Sequence, residues 1–465
     1  MIPLFDIPEI VQHYAGHFKE VFSEKAFLQF QRYVSGLIVS QNKTVEGINR
    51  LFVLDTRNQS SLNRLLTESP FSVEALNQAR LEMLARLPGT QFKPRGVLSI
   101  DDTLLKHYGE HFDQIALLYD PTEQRYVWAH NLVNLHYSDD QTDYPVAFRL
   151  WQPADLARIE AGLRAAGVPI GQGKLALKQE DPKKWRQYLV GLWRRKQNRP
   201  EVKCLYQSKL TLAEEMLRRF VAAYPGLSLP VVFDNWYTQS AFCRFIDKTL
   251  HRPYVGTLAA DDQVDLAAGP VPLKAFAEAL KAEHQDRDKA VFGKITIRYK
   301  GKRETYYSYC ASHRIKRFGK QRLVINHRRE DLSDSPSFYI SNRLNWQAAG
   351  ITRIRRHRWP VEVYHEEGKA DGLDQYQLRD FQAIIRHIAL VAVVYSLLRA
   401  AQHDKRLLQR LQGQVETKLD GTAGTWRRST QAQALWSFAV MVSTALSQGQ
   451  RLEEVMLPVL RALYY

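Results

Sequence analysis

Two short apolar segments of the chain each end in aspartate. The run VLSI is followed by Asp101 and Asp102, and the run VVF by Asp234. A strand interior excludes charge, so an acid that ends a strand lies at the rim of the sheet, where α/β proteins collect their ligands. If the two strands are neighbours, both carboxylates point into one cleft, and a cation between them relieves their repulsion. Oxygen ligands without His or Cys favour Mg²⁺ or Mn²⁺ over zinc.

Each aspartate also has an ordinary structural explanation. Acids that follow strands often cap helices or form turns, and for either site alone this explanation is preferred. Two such sites on a strongly basic chain shift the balance towards chemistry. Many nucleases and polymerases hold two metal ions roughly 3.5–4 Å apart between carboxylates.

A third acid is expected in the segment RWPVEVYHEEGK. Pro360 is favoured in the first turn of a helix, which places Glu362 in that turn, where the helix dipole favours an anion. Lys369 follows on the same helix face, and Arg358 lies just before the turn. This face therefore carries an acid for a metal and bases for phosphates. Exposed Glu–Lys pairs on any surface helix are the plain alternative, and for this segment alone they are preferred.

Charge is the strongest compositional signal. The chain has 65 Lys and Arg against 49 Asp and Glu, a net charge of +16. A basic surface attracts phosphates by releasing condensed counterions, so the expected partner is a polyanion. Several basic clusters interleave Trp or Phe, which can stack on bases. One cluster alone is explained as a solvated surface, but together they predict nucleic acid binding. The clusters are 183–203, 313–322, 326–329 and 353–358.

Length and composition predict a soluble protein of two to four domains. The chain has 465 residues, of which 45% are hydrophobic and 25% charged. The longest apolar run near the C-terminus, 388–398, is too short to span a bilayer and predicts a buried helix. The N-terminus lacks the pattern of a signal peptide, and three scattered cysteines suit a reducing cytoplasm.

The sequence pattern changes several times along the chain. Residues 1–90 are predicted to be helical, with a weak helix-turn-helix signal and Ser72 as a helix cap. An α/β order with a mixed sheet follows, then a β-rich stretch, then helices to the end. No assignment is made for 152–209. Strands are predicted at 96–103, 125–138, 144–151, 229–237 and 253–259, and helices at 211–225 and 238–250.

The order Asp101, Asp234, Glu362 resembles the DDE triad of bacterial insertion-sequence transposases, which have a ribonuclease H-like core. Arg358, Glu362 and Lys369 are similar to the signature of that family, which reads Arg, three residues, Glu, six residues, Lys. The tail of the signature region and the β-rich stretch before Glu362 also look like features of this branch. The resemblance covers roughly residues 60–400.

The resemblance implies an α/β fold: a ribonuclease H-like mixed sheet with helices, interrupted by a β-rich insertion domain, with helical regions at both ends. Five regions are predicted on this basis. They are an N-terminal helical DNA-binding domain (1–90), the first part of the catalytic core (91–259), the β-rich insertion domain (260–345), the second part of the core with the Glu-bearing helix (346–400) and a C-terminal helical region (401–465).

The resemblance also implies cut-and-paste DNA transposition. Asp101 and Asp234 would hold two Mg²⁺ or Mn²⁺ ions, and Glu362 would complete one of them. Transposon ends would be cleaved, and their freed 3′-hydroxyl groups would attack a second strand. The predicted partners are double-stranded transposon-end and target DNA and a second copy of the chain in a homodimer on DNA, in the bacterial cytoplasm at the nucleoid, without a membrane.

Five residues are predicted to contact DNA. Arg358 and Lys369 would bind phosphates beside the scissile bond, and Arg355 and Arg356 belong to the same basic cluster. Trp236 would stack on an unpaired base, with core packing as an equally good explanation. The family often has Tyr where this chain has Arg355, so a contact specific to Tyr is not expected.

Several alternatives stay open. The family's first acid usually precedes one residue and then Thr or Ser, which selects Asp101 over Asp102, and Glu366 is a lesser candidate than Glu362. One rival function is a metal-dependent, structure-specific nuclease on the same core. The other is a non-enzymatic basic DNA-binding protein whose acids only cap helices and turns.

Overall fold

A mixed sheet of twelve strands runs through the part of the chain that the structure describes. The structure is a computed structural model, and it describes residues 2–53, 57–286, 291–411 and 422–464. The strand order is β2-β3-β1-β5-β6-β12-β11-β10-β7-β8, with β4 on β3 and β9 on β10. The strands are β1 Val97–Lys106, β2 Ala116–Asp120, β3 Arg125–Ser138, β4 Asp143–Trp151, β5 Val231–Phe233, β6 Tyr254–Leu258, β7 Gln263–Leu266, β8 Gly269–Pro272, β9 Gly293–Tyr299, β10 Lys302–Ile315, β11 Gly319–His327 and β12 Ser337–Ser341.

Three central strands of the sheet run parallel. β1 pairs with β5 and β5 with β6, with Ile100 opposite Phe233 and Phe233 opposite Gly256. The β5 sequence, VVF, is buried throughout, as expected for a strand covered on both faces. β3 pairs antiparallel with β1, and β4 antiparallel with β3. This arrangement of helices and a mixed sheet is consistent with a ribonuclease H-like core and confirms the predicted fold class.

Helices occupy both ends of the chain and three stretches between strands. The N-terminal helices are α1 Glu9–Ala15, α2 Glu24–Val39, α3 Val45–Asn49, α4 Ser60–Thr67 and α5 Val73–Ala85, with a 3₁₀ turn at Gly16–Val21. Between strands lie α6 Leu156–Ala165, α7 Gln172–Leu175, α8 Leu177–Glu180, α9 Pro182–Lys196, α10 Pro200–Lys203, α11 Lys209–Ala223, α12 Ser240–Arg244, a π turn Phe245–Thr249 and α13 Leu273–Asp286. The C-terminal helices are α14 Ala348–Arg356, α15 Trp359–Ala370, α16 Phe381–Ala401, α17 Lys405–Leu411, α18 Ala423–Ser447 and α19 Leu452–Tyr464.

The long apolar helix α16 lies at the centre of the main core. It packs against α2, α4, α5 and β4, so the N-terminal helices and the sheet share one hydrophobic cluster. As predicted, Ser72 caps α5, its hydroxyl accepting from the Ala75 amide at 3.2 Å. Among the described residues α16 alone is long and apolar enough to cross a membrane, and 78% of its most apolar window is buried inside the protein. The run 388–398 is thus part of a longer, buried helix, and the length argument made from the run alone is wrong.

The β-rich stretch continues the same sheet. β12 pairs antiparallel with β6, with Phe338 opposite Leu258, and β11, β10, β7 and β8 follow outward. α13 lies within this stretch and contacts β7 and β8. The boundaries of an insertion domain therefore stay a prediction, because backbone hydrogen bonds run across them without a break.

Residues 152–209, which received no sequence assignment, contain five helices with a core of their own. α6 and α9 bury Ile159, Leu163, Trp185, Leu189 and Trp193 against one another, and Val202 of α10 joins this cluster. The two tryptophans are almost wholly buried, at 3% and 1% exposure. The interpretation that Trp side chains of the basic cluster 183–203 stack on bases is therefore wrong for these two: they hold the helices together.

Candidate active site

Asp101 and Asp234 lie beside each other at the rim of the sheet. Each follows one member of the opposed pair Ile100 and Phe233 on neighbouring parallel strands. Both line one cleft of about 730 Å³, and the wall of that cleft also includes Lys369. The prediction that each acid ends a strand is confirmed for Asp234, which follows β5, and is wrong for Asp101, because β1 continues to Lys106. The two acids come together because β5 ends beside the middle of β1.

Glu362 reaches the same place from the helical layer. Pro360 lies in the first turn of α15, as predicted, and Glu362 is in that turn as well. α15 packs against β1, β3 and β4, so its first turn is held over the sheet rim. Glu366, the lesser candidate, is one turn further on and exposed, whereas the Glu362 side chain is only 30% exposed.

The guanidinium of Arg358 is the centre of the acidic cluster. One of its nitrogens donates to Asp101 Oδ2, and another donates to Glu362 Oε1. Burial lowers the pKa of Arg358, but the negative charges of Asp101, Glu362 and Asp234 outweigh burial and raise it. All three predicted acids thus act on one positive charge, although they are far apart in sequence.

Burial dominates the protonation of the two aspartates. It raises the pKa of Asp101 to about 7, against the opposing effect of Arg358, and the charges of Asp234 and Asp102 raise it further. Burial also raises the pKa of Asp234, against the Tyr237 backbone amide, which donates to its Oδ1 at 3.1 Å. Three carboxylates surround the single guanidinium of Arg358, and this excess of acidic groups favours binding of a further cation.

The donor set suits a hard divalent cation. Within the described residues, no three His, Cys, Asp or Glu side chains stand ready to ligate one metal ion. The available donors at this rim are carboxylate oxygens, which match Mg²⁺ or Mn²⁺. Arg358 already takes the position of a cation between Asp101 and Glu362. A metal ion at these oxygens requires the guanidinium to leave that space.

A buried histidine fixes the Glu-bearing helix to the sheet. The side-chain amide of Asn134, which lies opposite Asp101 on β3, donates to His365 Nε2 at 2.9 Å. The ring must be neutral to accept this bond. Burial lowers the pKa of His365 to about 3, with smaller contributions from His136, Lys369 and Arg358. His365 was not singled out from the sequence, because one His on an apolar face carries no signal of its own.

We expect this histidine to make stability depend on pH. Its folded-state pKa lies below its ordinary value of 6.5, so the unfolded chain binds the extra proton first, and stability is lost as pH falls from 6.5 towards 3. The loss is about 1.4 kcal/mol per pH unit in this window. His365→Gln keeps an acceptor for Asn134, and its urea midpoint should fall less between pH 7 and pH 5 than that of the parent. His111→Gln, at an exposed position, is the control. Equal pH dependence of both variants would contradict the prediction.

Asp102 lines the same cleft, but its carboxylate belongs to a different hydrogen-bond network. Its carboxylate accepts from Tyr237 Oη at 2.9 Å, from Asn131 Nδ2 at 2.7 Å and from Lys209 Nζ at 2.9 Å. Lys209 Nζ also lies 4.1 Å from the ring centroid of Trp236. Lys209 and Tyr237 are site residues that sequence reasoning missed. Tyr237 follows Asp234 closely enough to have been noticed, but nothing in the sequence linked Lys209 to the cleft.

The predicted DNA-contacting residues divide into two groups. Lys369 and Trp236 line the cleft, and the Trp236 side chain is 44% exposed, which argues against simple core packing. Arg355 and Arg356 face a second pocket of about 320 Å³ beyond Arg358. Arg355 Nε donates to Thr257 Oγ1 at 2.9 Å.

The second pocket is strongly basic. Arg356 donates to Glu304 through two nitrogens, at 2.8 and 2.7 Å, so its positive charge is already neutralised within the protein. Arg328, from the predicted basic cluster 326–329, and the exposed Trp359, which was not assigned a role from the sequence, also line this pocket. The pocket and the cleft adjoin at Arg358, which places basic side chains on two sides of the acidic cluster.

Comparison with known proteins gives one family. A family model described as "DDE superfamily endonuclease" matches residues 17–275. This match covers more than half of the chain and includes Asp101 and Asp234. No curated protein matches the sequence.

Proposed function

Because the chain belongs to the DDE superfamily of endonucleases, whose DNA cleavage depends on divalent metal ions, we propose that it is a DNA transposase. It binds transposon ends, cleaves them by phosphodiester hydrolysis and joins the resulting 3′-hydroxyl ends to target DNA. The observation that carries this proposal is the convergence of Asp101 and Glu362 on Arg358 beside Asp234. The spacing of Arg358, Glu362 and Lys369, which is similar to the insertion-sequence signature, supports it.

In this proposal each acidic residue has a defined role. Asp101 and Asp234 would hold two Mg²⁺ or Mn²⁺ ions, and Glu362 would complete the ligands of one. Such ions, when bound, activate the attacking oxygen and stabilise the charge that develops on the phosphate. Burial serves this role, because carboxylates in a poorly solvated site bind a cation more strongly than exposed ones do.

The basic residues around the acids bind the DNA backbone. Arg358 is held by Asp101 and Glu362, and when it leaves them it can donate to a phosphate beside the scissile bond. Lys369, on the cleft wall, binds a second phosphate. The same proposal gives the N-terminal helices a role in DNA binding and expects a homodimer on DNA, because two ends must be held together. It places the protein at the bacterial nucleoid.

The decisive experiment supplies the protein with Mg²⁺ and a donor DNA that carries terminal inverted repeats. The repeats are taken from the DNA that flanks the gene, where short inverted repeats are expected to bracket the reading frame. A transposase produces excised ends and then products joined to target DNA. Cleavage without joined product would support the alternative, a structure-specific nuclease on the same core. Binding without cleavage would support the non-enzymatic alternative.

Trp236 gives a separate prediction about how the DNA end is held. Stacking on an unpaired base is worth about 1–3 kcal/mol, so Trp236→Ala should weaken binding of transposon-end DNA by roughly tenfold or more. The same substitution should have little effect on DNA in which the stacked base is replaced by an abasic site, because the lost contact is then already absent. Binding of both DNAs is measured without metal.

The matched control is Trp359→Ala. Trp359 is similarly exposed, at 49% against 44% for Trp236, but it lines the second pocket and not the cleft. If Trp236→Ala weakens binding of intact and abasic DNA equally at every position tested, Trp236 does not stack on a flipped base. Its contact with Lys209 would then explain the loss.

A further inference from the structure

The five helices α6 to α10 form a strongly basic unit between β4 and α11. This helical insertion (residues 155–206) has twelve Lys and Arg against five Asp and Glu, a net charge of +7. It therefore carries nearly half of the chain's +16 in about a ninth of its length. Its hydrophobic cluster is separate from the main core. A unit that packs on its own and carries so much charge has a surface available for a polyanion.

The charge is concentrated on one helix and on one side of it. α9 buries Trp185, Leu189, Leu192 and Trp193 in the core of the insertion. Its basic side chains point away from this core and are exposed; they are Lys183, Lys184, Arg186, Arg194 and Arg195. Residues 183 and 194 are eleven positions apart, which is about three turns, so they lie on one side of the helix roughly 16 Å apart. Phosphates along a duplex backbone are the natural match for such a row.

Most of these cations are not neutralised by the protein. Of these five cations Lys184 pairs with Asp181, whereas Glu160 binds Arg164 and Lys178, which lie outside α9. In the part of the chain that the structure describes, four exposed cations of α9 have no ion pair with an acid. These are Lys183, Arg186, Arg194 and Arg195. Like charges held close together without acids cost stability unless an external anion binds them.

The insertion adjoins the cleft. Trp151, at the end of β4, lines the cleft, and its Nε1 donates to Tyr206 Oη at 2.9 Å. The Tyr206 ring packs against Trp193 of α9, with ring centroids 5.0 Å apart. The chain then enters α11 at Lys209, which bonds to Asp102 in the cleft wall. DNA that leaves the cleft on this side therefore meets the insertion.

We propose that the helical insertion is a second DNA-binding surface, which holds the phosphate backbone of duplex DNA beyond the cleavage site. The inference rests on the proposed function in one respect, that the cleft binds duplex DNA. The surface binds phosphates rather than bases, because the two tryptophans of α9 are buried and five of its exposed side chains are cations. It lengthens the bound DNA and increases the number of phosphates that the protein neutralises.

The test measures binding of two duplexes without metal, so that no reaction is needed. One duplex carries only the cleavage site, and the other extends beyond it. The variant reverses four charges on α9, and a matched control reverses four exposed charges elsewhere on the protein. The variant is K183E/R186E/R194E/R195E, and the control is K248E/K405E/R406E/R451E.

The α9 variant should bind the extended duplex at least about tenfold more weakly, and the slope of log affinity against log salt should fall by about 3 to 4. Its affinity for the short duplex should change no more than that of the control. Thermal unfolding checks that the variants fold. If the charge-reversal variant does not fold, the variant with Ala at the same four positions provides a milder change.

Three results would overturn the inference. Equal weakening of both duplexes by the α9 variant and the control would mean that only overall charge matters. Unchanged affinity and salt slope on the extended duplex would mean that α9 is a solvated face. A preference of α9 for single strands over duplex would also refute it. None of these results bears on strand joining, so failure here is distinct from failure of the transposase proposal.

Discussion

Replacing either Asp101 or Asp234 by Asn is expected to lower DNA cleavage by on the order of 10³-fold or more while leaving DNA binding intact. Asn keeps the size of the side chain but removes its charge, and the several kcal/mol that metal ions give the transition state are lost with the ligand. Binding should survive, because the basic side chains of the cleft and the second pocket are unchanged. Cleavage rates with Mg²⁺ and affinities in EDTA measure the two effects separately.

Asp102→Asn is the matched control for this experiment. It changes the neighbouring residue of the same strand in the same way, but that carboxylate binds Lys209, Tyr237 and Asn131 rather than Arg358. We expect a much smaller loss of cleavage from it, through displaced neighbours. An Asp234→Asn protein that still cuts at the parental rate would remove Asp234 from the site. It would also favour the view that these acids only cap turns.

The acids could be found from the sequence because their positions follow from local rules. An apolar run that ends in acid predicted the end of β5 before Asp234 correctly, whereas β1 runs on past Asp101 to Lys106, and the parallel pairing of the two strands brings the acids together. Pro360 fixed the start of α15 and therefore the place of Glu362 in its first turn. The two inferences that agree with the structure, the end of β5 and the start of α15, each use only a few adjacent residues.

The rest of the site depends on contacts between distant segments. Nothing near Lys209 in the sequence shows that its amine reaches Asp102, and nothing near His365 shows its bond to Asn134. The helical insertion escaped assignment because three of its helices have only four residues each, too few for a periodic pattern. Its tryptophans were predicted to stack on bases because cations surround them in the sequence. In the structure they are buried, and they pack the helices together.

The structure distinguishes clearly between the two candidates for the third acid, Glu362 and Glu366, which lie one turn apart on the same helix. Glu362 contacts Arg358, and through it Asp101, whereas Glu366 is exposed to solvent. Glu362→Gln should therefore lower cleavage by roughly 10²- to 10³-fold, because a ligand of one metal ion is lost. Glu366→Gln should stay within a few-fold of the parent. The reverse order of effects would assign the third acid to Glu366.

A double variant tests whether Glu362 and Asp234 act as one unit. When two side chains bind the same ions, loss of either one already removes most of the rate that depends on both. Once Asp234 is replaced by Asn, the further change of Glu362 to Gln should therefore lower the cleavage rate only slightly more. If their effects were instead to multiply, the two carboxylates would be serving separate steps. Because Arg358 responds to the charges of both acids, the structure favours the non-additive outcome. Cleavage rates of the parent, the two single variants and the double variant, measured at one saturating Mg²⁺ concentration, distinguish the two cases.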